Sequence, residues 1–348
     1  MSPAANITEI EIPSKADFDA DIRTAIKPVV MRGLVKNWPA VQTATQGGAK
    51  AVFDYLSRFD NGQPQNTLVG APEVQGRCTY SDDLRSQNYA TQPQTFTQAF
   101  QDLLTKSDDG KARFIQSAYA HDHIPEFVTH HDMPLLSGEV KPRLWIGNET
   151  TAQTHYDLSE NIACVVLGQR SFTLFPPEQL PNLYPGPLET APGGIPVSLT
   201  SMDNPDFEKH PGFKEALTHR MTAQLNPGDA IYIPPGWWHH VRAEAPLNML
   251  VNYWWSGKTA QINTPYAAMV HAMMAFKSLT EAERGVWRNM FDYFVFEKHG
   301  EAMGHIDPLQ RGVLGGVPPE HRNGTIYDIL SALAKEVGLP PPPKPPQR

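Results

Sequence analysis

The sequence predicts a mainly β core flanked by helices at both ends. Three observations carry this. Proline and glycine number 33 and 25 among 348 residues, which suits many short strands joined by turns. Between about residues 140 and 255, one short apolar run follows another. On either side of that stretch the apolar spacing turns helical.

Composition narrows the function classes. Hydrophobic residues make up 40% of the chain, enough for a packed core, so wholesale disorder is excluded. The net charge of -8 argues against a broad phosphate-binding surface and makes nucleic acid an unfavoured partner. No apolar run reaches the roughly 18 residues that a membrane helix needs. The start, Met1-Ser-Pro-Ala-Ala-Asn-Ile-Thr-Glu9, lacks the basic and apolar stretches of a secretory signal. Cys78 and Cys164 form no CxxC pair, so a cytoplasmic protein with reduced thiols and no structural zinc is expected.

The elements follow in order. Pro28-Val-Val-Met-Arg-Gly-Leu-Val35 reads as a short buried strand ending in a turn, and helices are expected over Ala49–Phe59 and Thr95–Leu104. Strands are expected at Arg143–Gly147, Ile162–Leu167, Ser171–Phe175, Asp229–Ile233 and Leu247–Trp254; their close spacing implies an antiparallel sandwich or barrel. Ser278 and Thr280 precede Glu281 and Glu283 by three residues, the capping-box pattern of a helix start. Trp287, Met290, Phe291, Phe294 and Val295 then recur at helical spacing, and Thr325–Val337 is a last helix stopped by Gly338 and Pro340. The expected layout is a mixed α/β region over 1–135 packing on a β core over 136–258. A helical region over 259–338 and a proline-rich, extended tail over 339–348 follow.

Thirteen histidines must be sorted for chemistry. Most stand alone, and a lone His is usually a surface or satisfied core residue. His121-Asp-His123 and His130-His131 look like ligand clusters, but they lie in a segment with no strand pattern to fix their geometry. Thr154-His155-Tyr156-Asp157 is different, because it lies between two expected strands. In extended chain, residues two apart share a face, so His155 and Asp157 aim together. His239, in Gly228-Asp-Ala-Ile-Tyr-Ile-Pro-Pro-Gly-Trp-Trp-His-His240, is the best third ligand. Its neighbour His240 should face the other way. Two His and one carboxylate leave open positions on an octahedral metal, the arrangement of non-haem Fe(II) oxygenases.

These motifs, in order, resemble the JmjC/cupin-like Fe(II)/2-oxoglutarate-dependent hydroxylase family, its asparaginyl-hydroxylase branch in particular. The match comprises Pro28–Ala40, Thr154–Asp157, Gly168-Gln-Arg-Ser-Phe-Thr-Leu-Phe-Pro-Pro177, Leu183-Tyr-Pro185, Gly228–His240 and Val251-Asn-Tyr-Trp254, and it covers roughly residues 15–300. The resemblance implies a double-stranded β-helix (jelly-roll) core. It implies Fe(II) on His155, Asp157 and His239, with 2-oxoglutarate and O2 as cosubstrates. Oxidative decarboxylation to succinate and CO2 would then be coupled to hydroxylation of a C–H bond, on a protein or peptide side chain in the first instance. It places the cosubstrate's distal carboxylate on Arg170, where an Arg can grip it with two parallel hydrogen bonds, and puts Asn161 and Asn252 beside the cosubstrate. Arg143 and Arg242 are read as too early or out of phase for that role.

The chain also departs from the family pattern. Ala152 stands where a Thr is common, with Thr151 or Thr154 as compensation, and Phe114 stands where a Tyr is common. Gln116 is expected on the substrate side. Two other readings stay open: the same chemistry on tRNA or a small metabolite, and a non-catalytic cupin-like binding or sensing module. A histone demethylase is allowed by fold, without an accompanying reader or zinc module. Specificity is expected in loops 60–92 and 186–215. Met273, Met274, Phe276 and the apolar stripe 287–295 exceed what helix docking needs, so a homodimer through the C-terminal helices is expected.

Overall fold

A computed structural model describes residues 4–106, 109–256, 265–315 and 319–343. Its strands are β1 (Ala5–Asn6), β2 (Thr8–Ile10), β3 (Val29–Met31), β4 (Gln65–Gly70), β5 (Tyr89–Gln94), β6 (Ala112–Tyr119) and β7 (Pro142–Gly147). They continue with β8 (Thr151–Tyr156), β9 (Glu160–Leu167), β10 (Arg170–Phe175), β11 (Met221–Leu225), β12 (Ala230–Ile233), β13 (Trp238–Ala243) and β14 (Asn248–Trp255). Among the described residues they form a five-stranded sheet, β1-β11-β10-β13-β8, and a nine-stranded sheet, β2-β3-β12-β9-β14-β7-β6-β4-β5. This is the mainly β jelly-roll core that the sequence predicts.

Side-chain alternation sorts the core into two layers. Every residue of β9 is buried, because both faces of that strand are covered. Ala163 and Val165 join Phe172, Leu174, Leu225, Ile231, Val241 and Leu250 between the sheets. Ile162, Cys164 and Val166 point the other way, into a larger cluster with Val41, Val52, Leu56, Phe96 and Phe100. Those partners lie on the helices Pro39–Leu56 and Phe96–Thr105. The second helix carries the Thr95/Gln98 capping box, which satisfies two backbone donors at its start.

The N-terminal signature is tied to the Gly228-Asp229 turn. β3 pairs with β12. Asp229 accepts from Arg32 Nη1 at 2.8 Å, from Gly33 N at 3.0 Å and from Asn226 N at 3.1 Å. A second tie joins Arg23 to the buried Glu160, with Nε–Oε2 at 2.7 Å, and Tyr232 also donates to Glu160 at 3.0 Å. Charge-assisted bonds of this kind are stronger than neutral ones.

The sequence reading is corrected in places. The helix expected from Ala49 does begin there, after a break at Gly48 (φ 64°), but a further helical stretch precedes it from Pro39, whose ring suits a first helical turn. Within the first 135 residues, β2–β6 extend the nine-stranded sheet. Of these strands β3 is the one expected from the sequence; polar residues interrupt others, as in the exposed run of β5.

Residues 1–261 form one compact unit and 262–348 another. The boundary expected at 258/259 and the end of the tail, 344–348, lie outside the described residues. The second unit holds the helices Pro265–Phe276, Glu281–Phe294 and Pro319–Glu336. Thr280 and Glu283 form the expected capping box. Neither of the first two helices has a buried residue.

One histidine from the suspected clusters has a structural job. His131 is buried and stacks on Phe127, with centroids 3.8 Å apart. Its Nδ1 donates to Phe127 O at 2.7 Å, and its Nε2 accepts from Ala40 N at 3.1 Å, capping the helix that begins at Pro39. Burial pushes its pKa from 6.5 down to about 4. The unfolded chain therefore takes up this proton first as pH falls. The stability that neutral His131 gives is complete above about pH 6.5 and is lost as pH drops toward 4, about 3 kcal/mol in all. We predict that His131→Phe, which keeps the stack and loses the acceptor, costs about 1–3 kcal/mol at pH 7.5. Urea melts at pH 7.5 and 5.0 should also show a smaller pH dependence in the variant than in the wild type; equal dependence would exclude His131 as a source.

Candidate metal and anion site

β8 and β13 run antiparallel with His155 directly opposite His239. The ring centroids are 4.2 Å apart. Asp157 follows β8, and its Oδ2 lies 3.6 Å from His239 Nε2. Donor atoms of the three residues all fall within 4.8 Å of one another. The Pro234-Pro235-Gly236 turn holds this corner: Gly236, at φ 79°, donates its N–H to Asp157 O at 2.8 Å. A side chain there would strain the left-handed backbone.

Each imidazole has one nitrogen committed. His155 Nδ1 lies 2.7 Å from Gln153 O, and His239 Nδ1 lies 3.0 Å from Trp237 O. A carbonyl only accepts, so both Nδ1 atoms carry a proton, and Nε2 is the nitrogen through which each ring can offer a lone pair. Burial, then the neighbouring His155, pushes His239 down to about 4, so it stays neutral near pH 7. Asp157 Oδ2 is buried without a hydrogen-bond partner. Two such nitrogens beside an orphaned carboxylate oxygen are a poor arrangement for an empty core. They fit a divalent cation with two nitrogen and one oxygen ligands.

His240 faces away, with Nδ1 3.3 Å from Thr154 Oγ1. A bulge shifts the β8–β13 register between His239 and Val241, so Val241 sits opposite Ala152. Strict alternation would turn Ala152 away from His155; the extra residue brings both into one cavity. Gln153, within this irregular stretch, was missed in the sequence. Its carbonyl orients His155, while its Nε2 donates to Ser198 O at 3.1 Å and Thr200 O at 2.6 Å. The loop at 198–200 is thereby fastened to the ligand strand.

The rest of the cavity is built by Phe114, Trp145, Asn161, Ala163, Arg170 and Asn252. Trp145 Nε1 donates to Asn252 Oδ1 at 2.7 Å, and Asn252 Nδ2 donates to Asn161 Oδ1 at 3.2 Å. This chain satisfies an amide that would otherwise be costly in an apolar strand. Arg170 is 5% exposed. Its Nη2 reaches Trp145 O only at 3.4 Å, and its Nε has no partner. Burial pulls its pKa down to about 10. No carboxylate pairs with it among the described residues, so an anion is what the site lacks.

The other candidates fall elsewhere. Gln116 is half-buried and is not among the lining residues. His121 pairs with Asp122, His123 Nδ1 meets Gln63 O and His130 stacks on Phe59. None joins the metal-type group. Arg242 is exposed and pairs with Asp203. Arg143 sits opposite Asn252 in the β7–β14 ladder, so it shares the sheet face that carries the cavity, but it is not among the cavity's lining residues. The pairing partner of β7 decides this, and the sequence does not give it.

The cupin-like domain family matches residues 15–261. The chain is 25% identical to the Arabidopsis thaliana protein named lysine-specific demethylase JMJ31, over 69% of this chain and 48% of that one. It is 25% identical to Jumonji C domain-containing protein 5 of Drosophila melanogaster, over 72% of this chain and 60% of that one. Human HSPB1-associated protein 1 is 34% identical over 32% of this chain and 22% of its own length. The chain spans about half to three-fifths of the length of the first two relatives.

A buried cation without a counter-charge burdens the ligand-free fold. We predict that Arg170→Met raises the stability of the ligand-free protein by about 1–4 kcal/mol, read as a higher Tm. A lower Tm would mean that the guanidinium is held by its own surroundings.

Proposed function

The chain belongs to the cupin-like (JmjC) domain family, and from that premise we propose that it is an Fe(II)- and 2-oxoglutarate-dependent dioxygenase. Its target is a C–H bond on a protein or peptide side chain. One observation carries the reading: a His pair and an orphaned carboxylate share a cavity with a buried guanidinium that no carboxylate meets among the described residues. A metal and an organic anion together satisfy all four groups.

His155, Asp157 and His239 would hold the metal, which when bound activates oxygen against the keto acid. Arg170 meets the distal carboxylate with two parallel N–H bonds. Phe114 adds an apolar wall and no hydroxyl, so Arg170 bears that anion without help from position 114. Trp145 and Phe114, with rings 5.7 Å apart, exclude water from the space beside the cosubstrate. The Trp145–Asn252–Asn161 chain fixes the amides next to it. The two free cysteines suit a reducing, cytoplasmic setting, and no helix among the described residues is long and apolar enough to cross a membrane.

A homodimer is part of this proposal. Met273, Met274, Trp287, Met290, Phe294 and Val295 are each at least 42% exposed, apolar side chains of the kind that mark an interface when they gather on one surface. Light scattering at micromolar concentration should give twice the chain mass, and Trp287→Glu with Met290→Glu should halve it. A wild-type monomer would remove the dimer.

Succinate release that requires both Fe(II) and 2-oxoglutarate, and is abolished by Asp157→Ala, tests the chemistry. Arg170→Ala should weaken 2-oxoglutarate binding by roughly 2–5 kcal/mol, the cost of leaving a buried charge alone, while metal binding persists. Arg170→Lys should keep part of the affinity, because charge survives without the fork. Wild-type affinity of Arg170→Ala by calorimetry would place the carboxylate on another residue.

A further inference from the structure

The sheet face that lines the cavity continues outward past Trp254. A groove there is lined by Tyr119, Trp254 and Trp255, by Lys141 and Arg143, and by Asp122 and Glu139, and Trp254 belongs to both groove and cavity. Arg143 faces it from β7, opposite Tyr119 on one side and Asn252 on the other. Its guanidinium carbon lies 4.0 Å from the Tyr119 ring centre and 5.0 Å from that of Trp254. Nη1 donates to Ser117 Oγ at 2.9 Å, and Nη2 donates to Tyr119 Oη. The plane of the cation is therefore set by two rings and two hydrogen bonds, while a guanidinium has five N–H groups to give.

No carboxylate meets it. Arg23, Arg32, Arg77, Arg113, Arg242 and Arg311 each hold an acidic side chain; Arg143 holds none among the described residues. Two carboxylates line the same groove: Asp122 turns to His121 at 3.0 Å, and Glu139 is exposed and forms no ion pair with Arg143. The shared wall has a second unspent donor, since Trp254 Nε1 is buried without an acceptor. A half-buried, pre-oriented guanidinium selects a planar, two-oxygen anion, which it binds through two parallel bonds. The same charge repels an ammonium or methylammonium brought to the same mouth.

We propose that Arg143 anchors a substrate subsite for a carboxylate, the Asp or Glu side chain of a peptide residue flanking the one presented to the cavity. This rests on the function proposed above and names its substrate class: an acidic peptide rather than a methylated lysine. Arg170 and Arg143 then divide the anions, the inner one taking the cosubstrate and the outer one the substrate.

Random dodecapeptides displayed on phage can be panned against the metal-loaded full chain, with saturating 2-oxoglutarate and without oxygen. The wild type should enrich Asp and Glu over the input by about tenfold, the scale of one charge-assisted pair. Arg143→Gln should lose that enrichment, and Arg143→Glu should enrich Lys and Arg instead. Arg143→Lys keeps the charge and guards against a variant that merely unfolds, as do melting curves of all four proteins. Amidated and free-acid copies of the leading peptide separate a side-chain carboxylate from a chain terminus. Pools alike in charge, a preference unmoved in Arg143→Gln, or dependence on the terminus alone overturns the subsite. Succinate release without a carboxylate preference would sink the subsite and leave the dioxygenase reading standing. The preference without succinate release would sink that reading and leave Arg143 as an anion anchor.

Discussion

One strand register governs the site: β8 against β13, with His155 opposite His239. Side chains on a strand alternate, so a slip of one residue would send a ligand to the far face. Three local devices hold that register. The Gly236 turn returns the chain and bonds Asp157 O. The bulge before His155 absorbs one residue, so that Ala152 and His155 both face inward. Gln153 fastens the outer loop with its amide while its carbonyl fixes the proton on His155. Ligand geometry and loop placement thus share one residue.

The register in turn needs a rigid neighbour sheet. β12 leads into the turn before β13, and it is pinned from outside by Asp229, which gathers Arg32, Gly33 and Asn226. Glu160 gathers Arg23 and Tyr232 at the start of β9. Both acids bind partners brought from the first 35 residues. The N-terminal segment is therefore part of the jelly roll's frame. His131 does similar work for the helix that covers the other face of β9.

Polar groups inside the molecule fall into two kinds. Asp229, Glu160, His131 and Asn252 have their bonds filled by the protein itself. Asp157 Oδ2, Arg170 Nε and Trp254 Nε1 do not, and these three lie on one cavity, whereas Ser57 Oγ, Gln65 Oε1 and His240 Nε2 are single cases elsewhere. Native cores leave few such groups unpaired. Their clustering marks where the fold gives up stability to keep binding capacity, and it does so with opposite charges: an anionic oxygen beside the imidazoles and a cation deeper in.

The sequence by itself determined the β core, the pairing of His155 with Asp157, and His239 as the third partner. These were legible because period-two alternation and turn residues are local properties, printed along a short stretch of chain. It also marked the cavity's buried cation, Arg170, through the order of motifs. It could not decide that Ala152 shares a face with His155, since that depends on a bulge set by the partner strand. It could not see that Gln153 binds two carbonyls far along the chain. It could not place Arg143 on the cavity's sheet face, because which face of β7 meets the cavity depends on β14 lying beside it with Asn252 opposite. It grouped His131 with possible ligands, and only the packing of Phe127 and the helix start at Ala40 showed its use. Each of these rests on contacts between distant segments, whose geometry exists only once the sheets have closed.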